Sequence, residues 1–246
     1  MSLKPQAVSG ISMRPPRGRQ TVSGMAASPP RLLEPEPHRE ASSPILGVVQ
    51  PARELSTWED LLRLPEDVRG EVIAGAVMTP PSPLPRHARA QRALGAFVGR
   101  PFDDDDGRGG PGGWWILIEV DVRLGPHDIV RPDLAGWRRQ RLLEPWDARP
   151  IDVAPDWICE IISRSNAAHD RVTKRDLYAR AGVPYYWLVD PDARTLEALR
   201  LDVATRAWVE LGAYDDTALA RIAPFEAIEL EVSRLFPPAR DDPPPP

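Results

Sequence analysis

Cysteine and lysine are both scarce in this sequence, and each scarcity limits what the protein can be. Cys159 is the only cysteine among 246 residues, which excludes a disulfide framework and any metal cluster built from cysteines. Because it lies in an apolar stretch, we interpret it as a core residue, and such low usage fits a reducing compartment. Lysine occurs only at Lys4 and Lys174, whereas the other basic residues, out of 31, are arginines. A lysine inside the folded part therefore indicates a role that needs a compact ammonium group.

Long apolar runs are absent too. No stretch approaches the roughly 20 apolar residues of a membrane-spanning helix, and residues 1–16 contain no apolar core of a secretory signal. We therefore expect a cytoplasmic protein without a membrane partner. The net charge is −5 for the whole chain and −7 for residues 52–236. An acidic domain does not bind DNA by overall charge, although this charge still permits a nuclease whose site binds cations.

The composition divides the chain into three parts. Residues 1–51 are rich in proline, serine, arginine and glycine without a sustained hydrophobic period, so we expect a disordered N-terminal segment. Residues 237–246, PPARDDPPPP, predict a disordered tail. Between them, residues 52–236 alternate strand-like and helix-like patterns, which predicts one α/β domain.

The domain begins with a short helix pattern and a hairpin pattern. Ser56 and Glu59 form a capping-box pattern, which predicts a helix to about residue 64. Residues 70–78 predict a β-hairpin that turns at Ala74-Gly75. Glu71 begins the first strand of this hairpin.

A longer helix pattern covers residues 86–98, and His87 lies on its apolar face. Taken alone, His87 is typical of a half-buried histidine at the edge of the core. The acidic and glycine-rich stretch 103–113, DDDDGRGGPGG, follows. Contiguous carboxylates in a glycine-rich loop are usually solvated, so we expect a surface loop there and no cation site.

Two strand patterns come next. Residues 114–124 alternate well enough to predict one strand, and Glu119 and Asp121 share one face of it. A polar outer face explains these two acids as well as a functional site does. Residues 129–137 predict the returning strand. Asp133 lies in its middle, directly after a proline, which indicates an irregular position from which a carboxylate can point into a cleft.

The stretch 155–191 predicts a strand, a helix and a second strand. Glu160 is the one carboxylate in the apolar strand 157–162, and a charge buried there is costly unless a cation pairs with it. At about 100° per residue, Lys174 lies on the sheet-facing side of the helix, together with Asp170, Leu177, Tyr178 and Ala181.

Two plainer explanations of these charges stay open. Asp170 and Lys174 are spaced i, i+4, so they also fit a helical ion pair worth about 0.2–0.5 kcal/mol. Glu160 and Lys174 also fit a buried structural ion pair. Truncating either partner of such a pair costs about 3–5 kcal/mol of stability.

Glu71, Asp133, Glu160 and Lys174 together suit the chemistry of a metal-dependent phosphodiester site. Hard divalent ions such as Mg²⁺ bind carboxylate oxygens, and water and substrate phosphate complete their coordination. Such an ion lowers the pKa of a bound water and neutralises charge that develops at phosphorus. A nearby lysine stabilises the same charge or orients the water.

The segments RGEVIAGAV, RPDLAGW, PDWICEIISRSN and DRVTKRDLYARAGVPYYWLVDP resemble the Uma-type family of putative restriction endonucleases, in the PD-(D/E)XK nuclease superfamily. The resemblance covers roughly residues 56–236 and implies a restriction-endonuclease-like core, with a mixed central sheet flanked by helices. It implies that Asp133 is the acid of the PD element and Glu160 the acid of the second element. The usual lysine two residues further on is replaced by Ile162, and Lys174 on the following helix stands in for it.

The resemblance also places Glu71 and His87 near the site. It implies that Glu71 binds a metal ion with Asp133 and Glu160, directly or through water, and that His87 contacts phosphate or assists proton transfer. The implied activity is that of a Mg²⁺-dependent endonuclease, with Mn²⁺ as a substitute ion and DNA as the expected substrate. The alternative is a catalytically inactive nucleic-acid-binding or protein-interaction module on the same fold. The oligomeric state stays open, with a homodimer among the alternatives.

Overall fold

The structure is a computed structural model that describes residues 54–104, 110–163 and 169–238. The expected disordered segment 1–51, most of the expected tail 237–246 and the middle of the acidic loop lie outside the described residues. Within the described ranges, no helix has the length and apolar character needed to cross a bilayer.

The described residues form three α-helices and twelve β-strands. These are α1 (Trp58–Leu61), β1 (Glu71–Ile73), β2 (Ala76–Met78), α2 (Pro85–Gly99), β3 (Trp114–Ile118), β4 (Val122–Gly125), β5 (Asp128–Val130), β6 (Leu134–Arg138), β7 (Trp157–Ile161), α3 (Arg175–Ala181), β8 (Tyr185–Asp190), β9 (Thr195–Asp202), β10 (Ala207–Asp215), β11 (Leu219–Ala220) and β12 (Leu230–Glu231). Two π-helical turns, Arg100–Asp104 and His169–Lys174, and a 3₁₀ turn, Val232–Leu235, complete the regular structure.

A six-stranded mixed sheet forms the centre of the domain, in the order β10-β9-β8-β7-β6-β3. β7 and β8 are parallel, and α3 lies in the crossover that a parallel pair needs. The other neighbours in this sheet are antiparallel. A second sheet has the order β2-β1-β5-β4, and β11 pairs with β12. This architecture confirms the predicted mixed-sheet α/β class.

The side chains of β7 alternate between two apolar layers, as the two-residue period of a strand requires. Trp157, Cys159 and Ile161 pack in the layer that contains the buried face of α2. Ile158 packs in the layer that contains the buried face of α3. Glu160 therefore lies on the α3 side of the sheet, within reach of the turn that precedes α3.

The prediction of single strands over 114–124 and 129–137 is wrong. The first splits into β3 and β4, which belong to different sheets, and Glu119 at the break has φ of 52°. The second splits into β5 and β6 at Pro132, because proline has no backbone N–H to donate to a neighbouring strand. At these two breaks the chain passes directly from one sheet to the other, and both passages lie beside the predicted site.

The start of the domain differs in detail from the prediction. Thr57, not Ser56, precedes α1, and its backbone N–H donates to Asp60 Oδ2 at 2.8 Å. The predicted β-hairpin is confirmed, with positive φ at both turn residues, Ala74 and Gly75.

The first residue of the acidic loop is not simply solvated, contrary to the prediction. Asp103 Oδ2 accepts a hydrogen bond from the Ile116 backbone N–H at 3.0 Å, and Oδ1 lies 3.2 Å from Arg139 Nη2. Asp103 therefore fastens the turn after α2 to the edge strand β3.

Candidate active site

One pocket of about 680 Å³ is lined by all five predicted site residues: Glu71, His87, Asp133, Glu160 and Lys174. They come from β1, the first turn of α2, the residue before β6, strand β7 and the π-helical turn before α3. Both passages between the two sheets also border this pocket. The topology therefore gathers residues that are up to about a hundred positions apart in the sequence.

Lys174 lies between two carboxylates in this pocket. Its Nζ atom is 3.0 Å from Glu71 Oε1 and 3.0 Å from Glu160 Oε1, and 4.0 Å from Asp170 Oδ1. Burial by itself lowers the pKa of an ammonium group, but the three carboxylates outweigh burial and raise the pKa of Lys174 far above its usual value. Lys174 is therefore a permanent cation.

Glu160 is only 3% exposed and receives two hydrogen bonds on one oxygen. Lys174 Nζ donates to Oε1 at 3.0 Å, and Tyr178 Oη donates to the same atom at 2.5 Å. Burial raises the pKa of Glu160 to about 8, because the charge of Lys174 offsets only part of the desolvation and of the repulsion from nearby acids. The metal-free pocket therefore tends to hold a proton near neutral pH.

Asp133 joins the start of α2 to the end of β7. Its Oδ2 accepts from the Ile161 backbone N–H at 2.7 Å, and its Oδ1 lies 3.1 Å from His87 Nε2. Burial lowers the pKa of His87, but the hydrogen bond and charge of Asp133 outweigh burial, so that the pKa is raised. His87 thus carries a proton more readily than a free histidine.

Glu71 is held by the passage between the sheets. Its Oε1 accepts from the Arg131 backbone N–H at 2.7 Å, in addition to the contact with Lys174. Because Glu71 is 5% exposed, its carboxylate is fixed in place at the pocket wall.

The prediction of one regular helix after β7 needs correction, although the predicted face is right. Lys174 is the last residue of a π-helical turn, and α3 starts only at the next residue. π-Helical turns are rare and often occur at functional sites. Asp170, Leu177 and Tyr178 are buried on the predicted face, while Val172 is 68% exposed on the other side.

Three residues of the pocket region were not among the predicted site residues. Asp170 was considered only as a helical partner of Lys174, yet it is 5% exposed and burial raises its pKa to about 6, with Lys174 opposing. Tyr178 was placed on the right face without its bond to Glu160. For Glu119 a polar outer face and a site were both left open, and the structure places it in the pocket lining, where Arg69 and Gln91 donate to its carboxylate. The shared helix face could have revealed Asp170 and Tyr178.

The pocket's donor set suits a hard divalent ion, although the ion's place is not preformed. Among the described residues, no three His, Cys, Asp or Glu side chains already surround a common point. Lys174 instead lies between the carboxylates. Oxygen ligands are what Mg²⁺ prefers, and four carboxylates face one lysine here: Glu71, Asp133, Glu160 and Asp170. These residues fit such an ion if it replaces contacts of Lys174.

Within the part of the chain that the structure describes, the arginines of the pocket lining pair with other acids and not with this acidic cluster. Arg69 and Arg131 also line the pocket, but their guanidinium groups pair with Glu119 and with Asp121, respectively. The four carboxylates around Lys174 therefore retain an excess of negative charge, which favours a further cation.

The fold is shared with a solved structure. A crystal structure at 1.96 Å described as a putative nuclease belonging to DUF820, from Anabaena variabilis ATCC 29413, is similar with a TM-score of 0.58. The sequences are 21% identical, and the match covers 73% of this chain and 97% of that chain. This similarity establishes a shared fold.

The family is established by sequence. The model of the family Uma2, described as "putative restriction endonuclease", matches residues 58–233. The chain therefore belongs to the Uma2 family, which confirms the resemblance found in its motifs. Among curated protein sequences, none matches this chain.

Proposed function

We propose that the protein is a Mg²⁺-dependent endonuclease that hydrolyses phosphodiester bonds in DNA, with Mn²⁺ as a substitute ion. The observation that supports this most is the pocket in which Glu71, Glu160 and Asp170 surround Lys174 and which Asp133 also lines. Membership of a family described as putative restriction endonucleases agrees with it. Metal-dependent hydrolysis of a phosphodiester needs oxygen ligands and a nearby cation, and this pocket supplies both.

Asp133, Glu160 and Glu71 are the proposed ligands of the ion. When bound, the ion lowers the pKa of a coordinated water and neutralises charge at the phosphoryl group. The chain's own residues prepare the pocket for this role. Tyr178 fixes Glu160, the Ile161 backbone N–H fixes Asp133, and the passage before β6 fixes Glu71. Ligands held in this way lose little conformational entropy on binding.

We propose that Lys174 and His87 stabilise charge and transfer protons during the reaction. Lys174 keeps its charge at every working pH, so it can orient the attacking water or stabilise an anionic phosphoryl oxygen. His87 is tied to Asp133 at 3.1 Å and borders the same pocket. It is placed to contact phosphate or to pass a proton.

The overall charge of the domain also favours a role for bound cations. Residues 52–236 carry a net charge of −7, which repels a polyanion. A divalent ion in the pocket would reverse this repulsion locally. DNA binding should therefore depend on the divalent ion as well as on the pocket residues.

A second candidate is a catalytically inactive module on the same fold. The observation that favours it is the direct pairing of Lys174 with Glu71 and Glu160, without a preformed ion cage among the described side chains. Such a module would bind no divalent ion at these residues. Metal binding therefore separates the two candidates.

The test is cleavage of supercoiled plasmid, linear duplex, single-stranded DNA and RNA, with Mg²⁺, with Mn²⁺ and with EDTA. Asp133→Asn and Lys174→Ala should lower the cleavage rate by about 10²-fold or more, as the loss of one transition-state contact does. Asp176→Asn is the matched control, because Asp176 is an exposed acid of α3 paired with Arg180. Cleavage that persists in EDTA or in the pocket variants would contradict the proposal. Cleavage of RNA alone would contradict the choice of DNA.

A further inference from the structure

Lys174 Nζ lies between two carboxylates that we propose as ligands of the divalent ion. This atom is 3.0 Å from an oxygen of Glu71 and of Glu160. An ion that bridges Glu71 Oε1 and Glu160 Oε1 competes with the ammonium group for the same space, because Lys174 Nζ already lies between these two oxygens. The displaced ammonium is buried, so it needs another partner inside the pocket.

Asp170 is placed to be that partner. Its Oδ1 lies 4.0 Å from Lys174 Nζ, which is longer than a hydrogen bond but within the range of a small side-chain movement. Asp170 is itself 5% exposed, and its backbone carbonyl accepts from Tyr186 Oη at 3.0 Å. The backbone of Asp170 is therefore anchored beside Lys174.

We propose that Asp170 is a positioning residue that receives the Lys174 ammonium when a divalent ion binds Glu71 and Glu160. This inference rests on the proposed function, since it concerns the same pocket. The exchange keeps a cation beside every carboxylate, both before and after the ion enters. It also leaves Lys174 inside the pocket, paired on one side and free to face water or phosphate on the other.

The geometry argues against the plainer explanation, a permanent helical pair of Asp170 and Lys174. A pair of that kind lies on an exposed helix surface and has a direct contact, like Asp176 and Arg180 at 3.0 Å. Asp170 and Lys174 are buried instead, and their contact is the longest of the three that Lys174 makes with carboxylates. Asp170 is therefore a buried carboxylate close to Lys174 that the ammonium group could approach after losing its contacts with Glu71 and Glu160.

Mn²⁺ affinity in a double-mutant cycle tests the exchange. Removing the competing ammonium with Lys174→Met should tighten Mn²⁺ binding. Asp170→Asn should weaken it roughly tenfold when Lys174 is present, a typical coupling between two sites, and should have little effect beside Lys174→Met. Asp176→Asn and Arg180→Met, exposed residues of α3, are the matched controls. An equal effect of Asp170→Asn in both backgrounds would overturn the inference, because Asp170 would then act only through its charge.

The chain also offers a direct view of the ammonium group. Because Lys4 and Lys174 are the only lysines, isotope labelling of lysine gives two side-chain NMR signals, and Lys4→Arg assigns them. The Lys174 signal should shift with saturating Mg²⁺ in the wild type, and the shift should be different in Asp170→Asn, because the displaced ammonium group then lacks the Asp170 carboxylate as its partner. An identical shift in both proteins would overturn the inference. This measurement does not need Lys174→Met, so it holds even where that variant fails to fold.

The outcomes separate the two proposals. A folded wild type that binds no Mn²⁺, with or without DNA, contradicts the proposed function and the exchange together. Mn²⁺ binding that Lys174→Met does not tighten contradicts the exchange alone and leaves the nuclease proposal standing.

Discussion

Replacing Lys174 by methionine removes the ammonium group from a buried group of carboxyls. Glu71 and Glu160 each lose an ion pair of 3.0 Å, and Asp170 loses its neighbour at 4.0 Å. The four side chains belong to residues that are 3–5% exposed. Water therefore cannot replace the ammonium group without opening the pocket.

The structure sets the size of the resulting loss. Breaking a buried ion pair by removing one partner costs about 3–5 kcal/mol. We expect about 3 kcal/mol at pH 7, because proton uptake relieves part of the repulsion. The pKa of Glu160 is about 8 even with Lys174 present, and the pKa of Asp170 is about 6. Methionine has a similar volume to the lysine stem, so packing contributes little.

Glu160→Gln should lower the free energy of unfolding by less, about 1 kcal/mol. Tyr178 can still donate to the glutamine side chain, and Lys174 still has its ion pair with Glu71. The assay is urea denaturation at pH 7 in EDTA. With a slope of about 2 kcal/mol per molar, the midpoint for Lys174→Met should fall by about 1.5 M. Adding Glu160→Gln to Lys174→Met should recover part of the loss. A Lys174→Met protein as stable as the wild type would refute the reasoning. A double variant no more stable than Lys174→Met alone would refute it too.

Three further predictions follow from individual residues. The folded-state pKa of Glu160, about 8, lies above its unfolded value, so the stabilising proton is fully held at low pH and lost as pH rises through 8. The melting temperature of the metal-free protein should therefore fall between about pH 4.5 and pH 8, the unfolded and folded pKa values of Glu160, and Glu160→Gln should flatten this fall in a calorimetric scan. Gly182 has φ of 76° after α3, so Gly182→Ala should cost about 1 kcal/mol in urea denaturation, whereas Gly99→Ala, with open space and an ordinary φ, should not. A Cβ on Gly136 would lie 3.0–3.3 Å from two tryptophans and an isoleucine, so Gly136→Ala should cost about 1–3 kcal/mol in the same assay.

The central unit of the fold could be predicted because its chemistry is local. Glu160 stands alone among apolar residues, and Lys174 stands alone among arginines, so each residue attracts attention without any knowledge of the fold. A strand period and a helix period then place both on facing surfaces. The structure brings their side chains to 3.0 Å.

Other parts of the site depend on contacts that no local pattern contains. The break at Glu119 arises because the chain enters a second sheet, and a continuous alternating pattern gives no sign of it. The position of Asp170 depends on a π-helical turn and on a hydrogen bond from Tyr186, which lies sixteen residues further on. Asp103 was taken for a solvated residue because its partner, Arg139, is distant in the sequence.

Mn²⁺ binding measured by calorimetry tests the central claim most directly, with the wild type beside Asp133→Asn and the surface control Asp176→Asn. The account predicts binding by the wild type and by Asp176→Asn, and its loss in Asp133→Asn, because Asp133 is a proposed ligand of the ion. The titration is repeated with DNA present, since substrate phosphate completes many such sites. A folded wild type that binds no Mn²⁺ under either condition, or an Asp133→Asn protein that binds it as tightly, would contradict the account.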